Sequence, residues 1–309
     1  MTNAGGRIVA VAGGSGFIGR AIARRLAESA GTTVRVLTRN PERARARFAA
    51  APGNLEFAAA DVTAGAGLAE ILAGASAIVN AAQFDGYPIE NPARGLTFER
   101  VDYGGTVALV AAARAAGAMR FIYISGAAAN ENSAVAAFRC KGRAELALRE
   151  SGIDFAIFRP SLVYGPEDRV VNAIAKALKF APVMIVPGSG RQRMQPLLVD
   201  DLAACVALAA DGRGRNGIFE IGGPDLMTFD DLTRLVMELT GRQRPLIHLP
   251  EAALRAAGRI AELLPGAWFS RDAVDFLVAD NACAIAPLLA EFKIALTPAR
   301  SGLKYLAAR

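Results

Sequence analysis

The sequence predicts an α/β fold: a doubly wound parallel sheet followed by a smaller, mostly helical second domain. Three observations predict it. Apolar runs alternate with helical segments through the first half of the chain. Those runs are almost continuously apolar, the pattern of strands buried on both faces of a parallel sheet. A glycine-rich turn joins the first run to the first helix at 7–19, RIVAVAGGSGFIG. Repeated βα units impose right-handed crossovers, which place helices on both faces of the sheet. The chain has 309 residues, 53% of them hydrophobic, enough for the core such a fold requires.

Strands are expected at 7–12, 33–38, 55–59, 77–82, 120–125 and 155–159, and helices at 17–30, 41–50, 102–116 and 134–150. The first strand runs into Gly13, Gly14, Gly16 and Gly19, and Arg20-Ala-Ile-Ala-Arg-Arg-Leu then reads as a helix. Glycines in the turn permit dihedrals that a Cβ forbids, and Gly19 lets the helix pack close to the sheet. The helix start presents free N–H groups and the positive end of its dipole, which suit a pyrophosphate. The spacing is Gly13-x-x-Gly16-x-x-Gly19, with Ser15, Phe17 and Ile18 between the glycines. Placed between strand and helix, it reads as the dinucleotide-binding turn of a Rossmann-type sheet. A ligand is expected beyond the C-terminal ends of the strands.

After Pro160 the rhythm changes. Loops lengthen at Tyr164-Gly-Pro, Pro187-Gly-Ser-Gly and Gly222-Gly-Pro. Helices are expected at 168–180, 200–210, 228–240, 250–264, 270–278 and 285–292. The expected division is a dinucleotide-binding domain at 1–160 and a smaller substrate-side domain at 161–309. The boundary is interleaved: 196–223 is expected to return to the sheet through the strand-like GIFEIGG at 217–223.

The end of the second strand normally chooses between NAD and NADP, because a carboxylate there bonds the ribose 2′-hydroxyl and repels a 2′-phosphate. Here Thr33-Val-Arg-Val-Leu-Thr-Arg39 contains no acid. Arg39 stands about twenty residues past the glycine turn, where the ribose-recognising residue is expected. A guanidinium forks onto a phosphate, so NADP(H) is the expected cofactor, with NAD(H) the alternative. A second reading of Arg39 stays open: Asn40-Pro41-Glu42 is a good helix start, and Arg39 then opens a solvated basic helix with Arg43, Arg45 and Arg47. Asp61-Val62 follows the third strand, where an Asp meets the adenine amino group. Asn80-Ala81-Ala82 ends the fourth, where small residues let the backbone run along the ribose.

Composition excludes several classes. Cys140, Cys205 and Cys283 are odd in number and far apart, which argues against disulfides and zinc and for a reducing, cytoplasmic compartment. His248 is the sole histidine and lies in an apolar extended segment, so neither histidine catalysis nor a histidine metal site is expected. MTNAGG runs straight into the first strand, without the look of a signal peptide. The apolar region at 106–125 carries Arg114, Gly117 and Arg120, so it reads as a buried helix and strand and not a membrane span. The net charge of +6 suits an anionic cofactor or a loose affinity for an acidic surface. Without a concentrated basic face interleaved with aromatics, no nucleic-acid partner is expected.

Several motifs resemble the extended short-chain dehydrogenase/reductases, the family of the NAD-dependent epimerases and dehydratases. They are the glycine turn, Asp61-Val62, Val101-Asp-Tyr-Gly-Gly-Thr106, Arg159-Pro-Ser-Leu-Val-Tyr-Gly-Pro166 and Pro196-Leu-Leu-Val-Asp-Asp-Leu202. The resemblance spans essentially the whole chain. Within it, FRPSLVYGPEDRVVN at 158–172, with Glu220-Ile-Gly-Gly-Pro-Asp and Thr228-Phe-Asp-Asp-Leu, looks most like the branch holding the accessory subunit of respiratory complex I. The resemblance implies a cofactor contact at Pro160. It also implies a Tyr-x-x-x-Lys pair and a serine: the phenol as general acid/base, the lysine lowering its pKa and holding the ribose, the serine placing the substrate oxygen. The i, i+4 spacing sets tyrosine and lysine on one helix face.

Here the helix reads Ala136-Ala137-Phe138-Arg139-Cys140-Lys141. Lys141 fits the lysine and Ser125 the serine, but Ala137 stands where the tyrosine belongs, and Gly126 follows Ser125. Losing a positioned acid/base forfeits about 10²–10⁴ in rate. Tyr87 and Tyr164, in loops expected at the substrate face, are candidate replacements or packing residues. Cys140 is either a reactive group or a filler on the buried helix face. Arg191 and Arg193 either line the cavity or belong to a solvated loop. The expected protein binds NADP(H) with weak or non-standard catalysis, in a structural or redox-sensing role akin to a complex I accessory subunit. The alternative is an active reductase, epimerase or dehydratase with a substitute proton donor and an unidentified small-molecule substrate. The helices at 102–116 and 134–150 suit the four-helix homodimer contact of this superfamily. An amphipathic helix at 251–268 carries Leu254, Ala257, Ile260, Ala261 and Leu264 against Arg255, Arg259 and Glu262. It either covers a core or docks peripherally on a membrane or respiratory complex.

Overall fold

The computed structural model describes residues 6–48, 53–261, 274–275 and 278–307. Seven parallel strands form the central sheet: β1 (Arg7–Ala12), β2 (Thr32–Thr38), β3 (Leu55–Ala59), β4 (Ala75–Asn80), β5 (Arg120–Ile124), β6 (Asp154–Pro160) and a late strand, Gly217–Ile221. Four short strands precede that late one: β7 (Val163–Tyr164), β8 (Met184–Pro187), β9 (Arg193–Met194) and β10 (Leu197–Leu198). Gly217–Ile221 is therefore β11, and β12 (Met227–Thr228) and β13 (Leu246–Leu249) follow it. The sheet order is β11-β6-β5-β4-β1-β2-β3, so the winding reverses between β1 and β4. That reversal opens a crevice at the strand ends.

Among the described residues the α-helices are α1 (Phe17–Ala27), α2 (Pro41–Arg47), α3 (Leu68–Leu72), α4 (Gly105–Ala115), α5 (Ala136–Arg149), α6 (Val170–Phe180), α7 (Val199–Ala210), α8 (Phe229–Thr240), α9 (Glu251–Ala261), α10 (Ala286–Phe292), where a helix is expected at 285–292, and α11 (Ala299–Gly302). β1 shows why both faces are covered. Val9 and Val11 enter one core with Ile22 and Leu26 of α1 and Val206 of α7. Ala10 and Ala12 enter the other with Leu109 and Ala113 of α4. A third core belongs to the second half, where Val171 and Ile174 of α6 meet Leu232 and Val236 of α8.

Three departures from the sequence-based boundaries matter. α1 stops at Ala27, short of 30, and the chain turns at Gly31 with φ +70°. The helix expected from 102 begins earlier, as a π-helical turn over Phe98–Gly104 leading into α4. Its extra residue per turn carries Asp102 into the interior, 2% exposed. β4 ends at Asn80, so Ala81 and Ala82 lie beyond the strand. The tails of the expected helices at 49–50 and 262–264, and most of 270–278, lie outside the described residues, as do Glu262, Leu264 and Trp268. In the described part of that amphipathic segment, Arg255 pairs with Asp275 at 2.7 Å and Ile260 is exposed. Among the described residues no helix is long and apolar enough to cross a membrane.

Candidate functional site

A cleft of about 1030 Å³ opens where the winding reverses. Gly13 has φ +71°, and a Cβ there would stand 2.6 Å from the Ala81 carbonyl oxygen and from the Ala82 Cα. A Cβ on Gly19 would collide with the Gly13 carbonyl oxygen. Both positions therefore require glycine for the turn to lie against the end of β4. Gly16 precedes α1 without a side-chain cap, so the first amides of that helix are left for a ligand. Gly13, Ser15, Gly16, Phe17, Ile18, Gly19, Arg39, Asp61, Val62, Ala81, Ala82, Ser125, Lys141 and Pro160 all line this one cleft.

At the end of β2, Arg39 stands before α2 and not in it. Asn40 caps that helix, its side chain accepting from the Arg43 N–H at 2.9 Å. Arg39 pairs with Asp85 at 2.8 Å, both exposed. Arg43, Arg94 and Arg100 line the same cleft, so the ribose end is rich in cations. Asp61 accepts from the Thr63 N–H at 2.9 Å and the Thr63 hydroxyl at 2.8 Å. Burial works to raise its pKa, but those bonds, with Arg39 and Arg100, hold it below the usual carboxylate value. Glu167, from the loop after β7, bridges Arg20 of α1 and Arg47 of α2, the latter at 3.0 Å. Arg47 also donates to the Ser15 carbonyl at 3.0 Å. Burial pushes the Glu167 pKa up, and the two arginines bring it below its usual value.

At the other end, Lys141 faces Asp102 at 3.2 Å, and the two side chains are 5% and 1% exposed. This is an ion pair sealed from water. Burial raises the Asp102 pKa while Lys141 opposes it. Burial presses the Lys141 pKa down, but Asp102 and Tyr87 outweigh it, and the ammonium stays charged. Ser125 is engaged within the protein. Its hydroxyl donates to Glu145 at 2.5 Å, and Glu145 is gripped by Arg159 at 2.5 and 2.9 Å.

Ala137 is 1% exposed and packs in an aromatic cluster with Phe84, Phe98 and Phe138. Tyr87 packs against that cluster, lines the cleft, and holds its ring centroid 6.0 Å from the Lys141 Nζ. Burial drives its phenol pKa well above the usual value, with Lys141 pulling the other way. Tyr164 is different from expectation. It is fully buried in the third core, away from the cleft, because Gly302 and α6 close over it. Arg191 and Arg193 do not line the cleft, and Arg193 is drawn off by Asp280 at 3.0 Å. Cys140 is a buried filler whose thiol is pushed up to about 12, chiefly by burial, then by Glu99. His248 sits on β13 against Asp230 at 3.0 Å.

Sequence reasoning missed Asp102, Glu145 and Glu167. Two of them left a signal. Asp102 sits inside the Val101-Asp-Tyr motif, and Glu145 is four residues beyond Lys141 on the same helix face. Glu167 left none, because its partners are distant in sequence.

A fold with a glycine turn at the reversal of a parallel sheet defines a dinucleotide-binding protein, and the chain belongs to a family of that kind. Residues 13–185 match the family described as NAD(P)H-binding. The chain is 30% identical over 165 residues to an Arabidopsis thaliana NADH dehydrogenase [ubiquinone] 1 alpha subcomplex subunit 9, covering 52% of this chain and 41% of the relative. It spans 55% of the Rattus norvegicus counterpart, so it covers about half the length of these relatives. It is 31% identical over 267 residues to a Caulobacter vibrioides ceramide reductase, covering 85% of this chain and 78% of that one. The fold matches a Thermotoga maritima UDP-glucose 4-epimerase with a TM-score of 0.72 at 20% identity, over 97% of each chain. It matches a Bacillus cereus UDP-glucuronic acid 4-epimerase with a TM-score of 0.76 at 16% identity, over 97% of this chain and 98% of the other. The doubly wound fold shared with these epimerases and the likeness to NADH dehydrogenase [ubiquinone] subunits, both expected from sequence, are thus found.

Proposed function

We propose that this chain holds NADP(H) in the cleft as a largely non-catalytic group, in a structural or redox-sensing role, a reading supported by its likeness to subunits of NADH dehydrogenase [ubiquinone]. The observation that carries the reading is the dismantled proton relay: Ala137 has no hydroxyl, Ser125 is tied to Glu145, and Lys141 is tied to Asp102. The cofactor end is by contrast fully furnished. The dinucleotide, when bound, supplies a hydride donor or acceptor. The uncapped α1 start takes its pyrophosphate, and Ala81 and Ala82 keep the wall low beside the ribose. Arg39 takes the 2′-phosphate, exchanging Asp85 for it. The test is to purify the full chain without added nucleotide, identify what it retains, and expose it to panels of carbonyls and quinones. Retained NADPH with turnover no faster than free NADPH supports the proposal; NADH alone, or brisk turnover, refutes it.

A second reading has its own observation. Tyr87 brings a phenol over the Lys141 ammonium from the loop after β4, and Arg169 donates to the Tyr87 carbonyl at 3.1 Å, tying that loop to α6. A reductase using Tyr87 as general acid fits this placement, and the Caulobacter relative is called a reductase. Tyr87→Phe then lowers turnover about 10²-fold or more, with NADPH affinity unchanged. Homodimerisation through α4 and α5, a cytoplasmic site and peripheral contact with a membrane or respiratory complex belong to the same proposal. Val107 and Leu146, half-exposed apolar residues on α4 and α5, support the dimer. The division at about 160 belongs to it as well, with β11 returned to the sheet.

A further inference from the structure

The cleft extends past the Lys141 end into an arm that is built differently from the rest. α6 turns Val170, Ala173 and Ala177 into it at helical spacing. Phe180 continues that stripe at the end of the helix and is 74% exposed. Met184 and Ile185 of β8 also line the cleft. At the rim, Ile185 is 53% exposed beside Ile247 of β13, its partner in register and 44% exposed. Two alanines on one wall leave room between the walls, and large apolar side chains stand where that room meets solvent.

Polar groups bordering this arm bond within the protein: the exposed Arg169 donates to the Tyr87 carbonyl at 3.1 Å. The Ser161 hydroxyl donates to the Asn281 carbonyl at 2.6 Å. Asp168 accepts from the Val171 N–H at 2.6 Å and the Asn172 amide at 2.8 Å. A sugar placed here would leave its hydroxyls short of partners, and a peptide its backbone groups, each a desolvation penalty. A hydrocarbon has no such groups to satisfy and gains from the apolar wall in proportion to the area it buries.

We propose that this arm binds the unbranched alkyl or acyl chain of an amphiphile, with the polar head toward Lys141 and Tyr87. This rests on the reading that the glycine end is occupied by the dinucleotide. The chain lies along the Ala173–Ala177 stripe and leaves the cleft between Ile185 and Phe180. The ligand of this protein is therefore a lipid-like molecule and not a nucleotide sugar, although epimerases acting on UDP-sugars share the fold.

The test titrates the full chain, saturated with NADPH, with 1-hexanol, 1-octanol and 1-decanol by calorimetry, following NADPH affinity in the same preparations. Neutral probes remove any contribution of head-group charge. Each added methylene is expected to tighten binding about fourfold, so decanol binds on the order of 200-fold tighter than hexanol. Ala177→Phe, which fills the arm, should abolish that length dependence. Ile185→Glu, at an exposed rim position that does not threaten folding, should weaken decanol at least tenfold. NADPH affinity should be unaltered in both. Equal affinity across the series, or length dependence untouched in both variants, overturns the proposal even when NADPH binds. UDP-glucose displacing decanol and binding more tightly overturns it as well. If the alcohols show the length dependence while NADPH fails to bind, the arm stands and the dinucleotide reading falls.

Discussion

Lys141→Met tests the buried pair at its weakest point. It removes the cation and leaves Asp102, 1% exposed, without a counter-charge. The buried carboxyl then takes up a proton. From its ordinary value of 3.8, keeping it neutral at pH 7 costs up to about 4.4 kcal/mol more than in the wild type, whose Asp102 pKa is itself raised by burial, at about 1.36 kcal/mol per unit. That agrees with the roughly 3–5 kcal/mol lost when one partner of a buried pair is removed. With an unfolding entropy of about 2.1 cal/mol/K per residue, the 309 residues give a melting point about 7 °C lower. The pH dependence has a definite sign. Asp102 in this variant has a folded pKa above its unfolded one, so its contribution is fully present below about 3.8 and is lost as pH rises through the folded value. At pH 5 the same arithmetic leaves a deficit of about 1.6 kcal/mol, or about 2–3 °C. Melting curves of wild type, Lys141→Met and Asp102→Asn/Lys141→Met at pH 5 and pH 7 read this directly. The double variant should recover most of the loss at both pH values. A Lys141→Met deficit that is the same at pH 5 and pH 7, or under about 1 °C at pH 7, refutes the reasoning.

Other expectations follow from single contacts. Arg39→Glu should weaken NADPH about 10- to 100-fold, the loss of a charged hydrogen bond plus repulsion, and leave NADH within a few-fold; fluorescence titration checks both. Glu167→Gln should speed NADPH release in stopped-flow chase. Because the arginines hold Glu167 below its usual 4.5, its contribution is present above that value and is lost as pH falls through the lower folded one. Release from the wild type should therefore quicken in acid while the variant's pH response flattens. Ala137→Tyr should not restore activity. It forces a ring into a site 1% exposed and should lower stability by about 1–3 kcal/mol, seen as earlier melting. Thr228→Ala removes the capping box of α8, in which Asp231 N–H donates to the threonine hydroxyl at 3.1 Å, and should cost about 1 kcal/mol.

The half of the site that binds phosphate was legible because its requirements are local. Gly13 needs its left-handed φ of +71° and a Cβ on Gly19 would collide with the Gly13 carbonyl, both inside the turn itself, although Gly13 also abuts Ala81 and Ala82 at the end of β4. The β1 pattern of Val9 and Val11 against Ala10 and Ala12 is likewise a property of one strand between two layers. The chemical half was not legible, because it is assembled across the chain. Ser125 reads as a free hydroxyl until Glu145 and Arg159 arrive from α5 and β6. The pairing of Lys141 with Asp102 does not show in the sequence, because it takes the π-helical turn to bring Asp102 inward. Tyr87 and Tyr164 look alike in sequence, both in loops. Only packing separates the ring over Lys141 from the ring sealed under Gly302. α3 and β8 were overlooked because each spans only four or five residues, too few for a periodic pattern to register.

Glu167 also bears on how anything leaves. Its carboxylate is half exposed, and the two guanidiniums it grips belong to the helices on either side of the glycine turn. The loop after β7 is thus moored across the doorway by two ionic tethers. A passenger carrying its own anions competes for those moorings as it comes and goes. Added salt should loosen tethers with this much solvent contact, so the dwell time of a nucleotide should be set by ionic strength as much as by its fit.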